Sequence, residues 1–188
     1  MLNDEVNKAL KIIQEGGIIL YPTDTIWGIG CDATNTEAVK KIYRLKQREE
    51  SKSMIILLDT DNKLESYIKD VPAIAYDLIE FAENPLTLVM PGAKNISPAL
   101  IAEDGSVGIR VAKHDFCQRL IQRLRKPLVS TSANISGQPS PRNFAEVGQE
   151  ILDGVDYIVD LEQHSLEQKK PSTIMRLQPD GRFEFLRK

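Results

Sequence analysis

Apolar positions along the chain follow two periods in turn. Val6, Ala9, Leu10 and Ile13 are spaced to share one helical face, which Gly16-Gly17 ends. GIILYP (17–22) then reads as a buried strand leaving into a loop. The next helix carries Ala38, Val39, Ile42 and Leu45 as its apolar stripe, with Thr36 as its expected cap. SMIILL (53–58) is a strand, PAIAYDLIEFAE (72–83) a helix opened by Pro72, and PLTLVM (85–90) a further strand. SVGIRV (106–111) follows as a strand, and HDFCQRLIQRLR (114–125) as a helix burying Phe116, Leu120, Ile121 and Leu124. PLVST (127–131) is a short strand that runs into the loop SANISGQPSP (132–141). The alternation continues through FAEVGQEIL as a helix, DYIVD, and STIMRL paired with RFEFLR across the turn Pro179-Asp180-Gly181. Helices interleaved with strands imply an α/β fold around a mixed β-sheet.

Composition adds bounds to this outline. A chain of 188 residues, 41% hydrophobic and 27% charged, has the make-up of a globular domain, and no linker or repeat divides it. One domain over 1–188 is therefore expected. The apolar runs are strand-length, far below a membrane span, and the N-terminus lacks the apolar stretch of a signal peptide. A cytoplasmic location without membrane contact is the expectation. Cys31 and Cys117 form no metal-ligand spacing and read as buried thiols. The formal net charge of -3 argues against a broad nucleic-acid surface but leaves room for a local basic pocket.

Polar residues collect near strand ends, where open α/β sheets place ligands. Thr23, Asp24 and Thr25 follow GIILYP; Lys46, Arg48 and Lys52 precede SMIILL; Thr87 and Arg110 sit inside strands; Ser130, Thr131, Ser132 and Asn134 follow PLV. Each also has a plainer explanation. Ser and Thr beside Pro and Gly form turns, Lys46 suits a helix C-terminus on dipole grounds, and Arg110 could pair with a carboxylate as readily as with a ligand.

No GxxxxGK[ST] loop and no GxGxxG fingerprint is present, and GIGCDATN is a weak nucleotide signal. His114 and His164 lie in no hydrolase motif. The inventory of hydroxyls, one amide and several cations suits positioning of reactants and stabilisation of anionic charge, as phosphoryl or nucleotidyl transfer requires.

YPTDTIWGIGCDAT, the KQR triplet, NPLTLVM, VGIRV and STSANISGQPSP resemble, in order, the successive motifs of the YrdC/TsaC family of threonylcarbamoyl-AMP synthases. The resemblance spans about residues 5–176 and stops short of the extra C-terminal domain of longer members, which implies the single-domain form. It implies a twisted mixed sheet flanked by helices, with a large concave basic cleft. It also implies the reaction of L-threonine, bicarbonate or CO2 and ATP, with Mg2+, to threonylcarbamoyl-adenylate and pyrophosphate. The product would pass to a separate transferase complex that completes the threonylcarbamoyladenosine (t6A) modification of tRNA. Carried over by position, Lys46, Arg48 and Lys52 grip ATP phosphates, and Thr87, Ser132, Asn134 and Ser140 line the nucleotide side. Lys46, Arg48, Ser132 and Asn134 form the expected catalytic set. Thr25, Arg110 and Ser172 face L-threonine, and no protein metal ligand is implied. KQREES (46–51) and SGQPSPRN (136–143) are the loops expected to close.

Four positions depart from the family pattern without removing a site residue: Asn84 for a glycine, Glu49 and Ser53 for prolines, and Ala112 for a proline. Trp27 stands where the family has a smaller residue. Beside a threonine or nucleotide sensor without turnover, two further rival readings stand. One is a carbamoyl-adenylate-forming domain of the kind found in cysteine-rich hydrogenase maturation proteins. The other is an RNA-binding protein that holds double-stranded RNA or tRNA in the cleft without turnover, or does so weakly beside the synthase activity. Its affinity would fall steeply with salt.

Overall fold

The computed structural model describes residues 1–50 and 52–188. Ser51, the last residue of the KQREES loop, lies outside the described residues. In chain order the elements are α1 (Leu2–Gln14), β1 (Ile19–Tyr21), β2 (Gly28–Gly30), α2 (Thr36–Lys46), β3 (Ile55–Leu58), α3 (Leu64–Tyr67) and α4 (Ile74–Glu80). They continue with β4 (Leu86–Met90), β5 (Val107–Val111), α5 (Asp115–Leu124), β6 (Leu128–Ser132), α6 (Gln149–Gly154), β7 (Tyr157–Ile158), β8 (Thr173–Leu177) and β9 (Phe183–Arg187).

Among the described residues nine strands form one mixed sheet in the order β7-β1-β2-β6-β3-β5-β4-β8-β9. Pairing is parallel for β1/β7, β3/β5 and β4/β8 and antiparallel elsewhere. Strand side chains alternate between faces, so each central strand feeds two cores. Ile56 and Leu58 of β3 join Val39 and Ile42 of α2 on one face. Leu57 joins Val6 and Ile13 of α1 and Phe116 and Leu120 of α5 on the other.

Local differences from the sequence reading have physical causes. Asn35, not Thr36, caps α2: its side chain accepts from Ala38 N–H at 3.1 Å, and Thr36 is the first helical residue. FAEVGQEIL is not one helix. Val147 and Gly148 are extended between a short 3-10 turn and α6, which drives Val147 into the core at 7% exposure. GIG of β2 is a buried strand, and its glycines answer to packing. A Cβ on Gly30 would stand 2.3 Å from the Val129 carbonyl and 2.7 Å from the Tyr21 ring. The expected β8–β9 hairpin is present, turning at Gly181 with φ +85.

Candidate active site

The site arises where the helices on one face stop. Residues that pair across neighbouring strands share a face. The row Leu57↔Arg110↔Thr87↔Ile174 starts under α5 with Leu57 and runs outward along that face to β8. Past the helices, the same row floors a cavity of about 240 Å³. Its remaining walls come from Thr25 to Gly28 after β1, Arg48 and Ser53 before β3, Ser130 to Ser132 of β6, and Ser140, Ser172 and Arg187. The structure therefore brings Thr25, Arg48, Thr87, Arg110, Ser132, Ser140 and Ser172 of the expected set to one cavity.

Three guanidinium groups line it, and among the described residues no carboxylate does. Arg110 is 3% exposed, and Asp24 Oδ1 lies 3.2 Å from its Nη2. That is ion-pair distance without hydrogen-bond alignment, and both atoms, with Arg110 Nε, are buried without a hydrogen-bond partner. A buried donor left unpaired is costly and marks a place for an acceptor. Arg187 donates from Nε and Nη2 to the Ser172 carbonyl at 2.9 and 2.8 Å. Burial, and secondarily the charge of Arg110, lower its pKa from the ordinary arginine value. Arg48 donates to the Lys52 and Ser53 carbonyls at 2.6 and 3.1 Å, and burial lowers its pKa also. Ser53 Oγ is buried there without a partner.

The hydroxyls are ordered. Thr87 Oγ1 and Ser172 Oγ are 2.8 Å apart and both are buried. Thr23 Oγ1 donates to the Ile26 carbonyl at 2.8 Å and accepts from Thr25 N–H at 2.9 Å. With that proton committed, Thr25 Oγ1 is the donor in its 3.0 Å bond to Thr23 Oγ1, which leaves the Thr25 lone pairs open to a ligand.

Three expected residues are placed differently. Lys46 is 1% exposed and does not line the cavity. Its Nζ donates to the carbonyls of Ser132 and Asn134, the latter at 2.6 Å, while Ser136 N–H donates back to the Lys46 carbonyl. Lys46 thus staples the end of α2 to the loop after β6. Burial, and then the Arg48 charge, push its pKa down to about 7. Lys52 is exposed and contributes its carbonyl, through Arg48, and not its ammonium. Asn134 lines an adjoining hollow of about 310 Å³ that shares Ser140 with the cavity. Its Nδ2 donates to the Ile135 and Gln138 carbonyls, and its Oδ1 is buried without a partner.

Arg187 escaped the sequence reading. Strict alternation along RFEFLRK puts it with Phe183 and Phe185, away from the cavity. A register shift opposite Ile174/Met175 pairs Arg187 with Ile174 instead and turns it inward.

An α/β protein with an arginine- and hydroxyl-lined cavity at the edge of its helical cover is the class that fold and site define. The family model described as telomere recombination, that of the Sua5/YciO/YrdC proteins, matches residues 11–188, and the chain belongs to this family. It is 37% identical over 155 residues to a threonylcarbamoyl-AMP synthase of Pseudoalteromonas translucida (strain TAC 125), covering 81% of this chain and 83% of that protein. It is 39% identical over 148 residues to another of that name from Idiomarina loihiensis, covering 77% and 79%. Among solved structures, P. abyssi Sua5 complexed with L-threonine superposes with a TM-score of 0.81 at 29% identity over 92% of this chain. The chain spans half the length of that Sua5. Among the described residues no helix is long and apolar enough to cross a membrane.

Proposed function

We propose that the protein is an L-threonylcarbamoyladenylate synthase, forming threonylcarbamoyl-AMP and pyrophosphate from L-threonine, bicarbonate or CO2 and ATP for tRNA t6A modification. The observation that carries this reading is the buried Arg110 guanidinium, whose Nε and Nη2 make no hydrogen bond, beside Arg187 and Arg48 in a cavity that no carboxylate lines among the described residues.

Two anionic reactants must meet here, a triphosphate and a carboxylate-bearing amino acid. At an effective dielectric near 20, a guanidinium about 4 Å from a phosphate oxygen gains about 4 kcal/mol before desolvation. Arg48, before β3, and Arg187, on β9, serve the triphosphate. Ser132, Ser140 and Asn134, across the shared hollow, serve the nucleoside end. Arg110 and Ser172 receive the carboxylate, and the open lone pairs of Thr25 Oγ1 accept from the amine.

The amine captures CO2, its proton leaving to water, and a carbamate oxygen attacks the α-phosphorus. The bond to the bridging oxygen breaks and pyrophosphate departs with the pair. Fixed cations favour that charge shift because they need no reorganisation as it happens. Magnesium would come with the nucleotide substrate, held by its phosphate oxygens and water. The lining hydroxyls are compatible outer partners. The product then goes to a separate threonylcarbamoyl transferase complex.

Pyrophosphate release tests the reading. It is expected only when threonine, bicarbonate and MgATP are all present; release without threonine contradicts it.

A further inference from the structure

The substrate loop 23–25 is held from behind by side chains that the proposed chemistry does not use. Lys169 Nζ donates to the Thr23 carbonyl at 3.0 Å and to Glu162 Oε2 at 2.8 Å. Its side chain is only 21% exposed. The other oxygen of Glu162 meets His114 Nε2 at 2.8 Å. Burial raises the Glu162 pKa, but the hydrogen bonds from Lys169 and His114 outweigh it and hold the carboxyl below its usual range. The backbone of Glu162 sits at φ 57, a left-handed conformation that a non-glycine residue keeps only where its surroundings demand it. The same turn that presents His114 also fixes Asp24, through Lys113 N–H to Asp24 Oδ2 at 3.1 Å. Lys169 N–H reaches the Arg142 carbonyl at 3.3 Å, so the strap carrying it touches the loop after β6 as well.

These contacts converge on one backbone carbonyl. Thr23 is β-branched and has few χ1 options, so the angle of its peptide sets where Oγ1 points, and Oγ1 in turn orients Thr25. We propose that Lys169, anchored by Glu162 and His114, is a positioning residue for the amino-acid substrate that fixes the Thr23–Thr25 hydroxyl pair. The inference rests on the assignment of Thr25 to L-threonine. An ion-pair cluster that only stabilises the strap would affect both substrates alike; a clamp on this loop affects one.

The test measures pyrophosphate release against threonine and ATP separately, in wild type, Lys169→Met and Lys169→Arg. Lys169→Met is expected to raise the KM for L-threonine about tenfold, the worth of one hydrogen bond from a charged donor. The ATP KM and kcat are expected to stay within about twofold, and Lys169→Arg to recover most of the loss. Glu162→Gln, which removes the anchor and leaves Lys169 in place, is expected to give the same split more weakly and stands in if Lys169→Met does not fold. An unchanged threonine KM in an active variant, or equal increases for both substrates, overturns the clamp and leaves the synthase reading intact. A wild-type protein that releases no pyrophosphate removes that reading and the clamp with it.

Discussion

Lys46 is the residue whose meaning changes most between sequence and structure. As one of three cations before a strand it reads as a phosphate ligand. In the fold it is buried and donates to two backbone carbonyls. Removing it as Lys46→Ala leaves both carbonyls short of a donor, at about 1–3 kcal/mol for an abandoned buried acceptor. The melting temperature is expected to drop by several degrees. Arg48→Ala is expected to behave in the opposite way. Its partners are the loop carbonyls of exposed Lys52 and half-buried Ser53, so stability is expected to stay within about 0.5 kcal/mol while pyrophosphate release falls by more than about a hundredfold. Thermal denaturation beside the activity assay separates the two. Lys46 also carries a pH signature. With its pKa lowered to about 7, the folded state binds fewer protons than the unfolded state between pH 7 and the ordinary lysine value. Stability from this residue is therefore poorest below pH 7 and rises with pH through that window. Denaturant titrations of wild type and Lys46→Met at pH 7 and pH 10 are expected to show wild type gaining on the variant at the higher pH. A constant difference contradicts a buried amine that titrates near 7.

At the scale of elements, most of the architecture was legible because helix and strand periods alternate cleanly. The buried faces of α2 and α5, the strands β3 to β6 and the β8–β9 hairpin all follow from spacing. What stayed illegible depends on partners distant in sequence. β2 is a glycine-bearing triplet whose need for glycine lies in the Val129 carbonyl opposite, about a hundred residues away. Gly30→Ala is expected to cost about 1–3 kcal/mol or more by overpacking a central strand, readable as a lower denaturation midpoint with unchanged slope. An ordinary midpoint would mean that β2 has room to shift. The inward turn of Arg187 depends on a bulge that no alternation pattern encodes. Of the site, the strand residues Thr87, Arg110 and Ser132 and the loop residues Thr25, Ser140 and Ser172 line the cavity. Lys46 and Lys52 do not, since a motif specifies order along the chain and not which atom of a residue faces the ligand. β9 itself is an edge strand with Phe183 and Phe185 exposed; its bulge and the flanking Arg182, Arg187 and Lys188 are features that discourage further strand pairing.

For the molecule as a whole, a net charge of -3 coexists with a cavity lined by three arginines. Among the described residues no carboxylate lines it, so its local cationic character favours an anionic ligand. MgATP at about a hundred times its Kd is expected to stabilise the fold by about 2.7 kcal/mol, seen as a melting shift of several degrees, and Arg187→Met is expected to diminish that shift. The decisive measurement is pyrophosphate release by the purified protein with MgATP, omitting threonine and bicarbonate in turn. The expected result is release that requires both. Release that continues without threonine, or none with all three present, contradicts synthesis of threonylcarbamoyl-adenylate in this cavity.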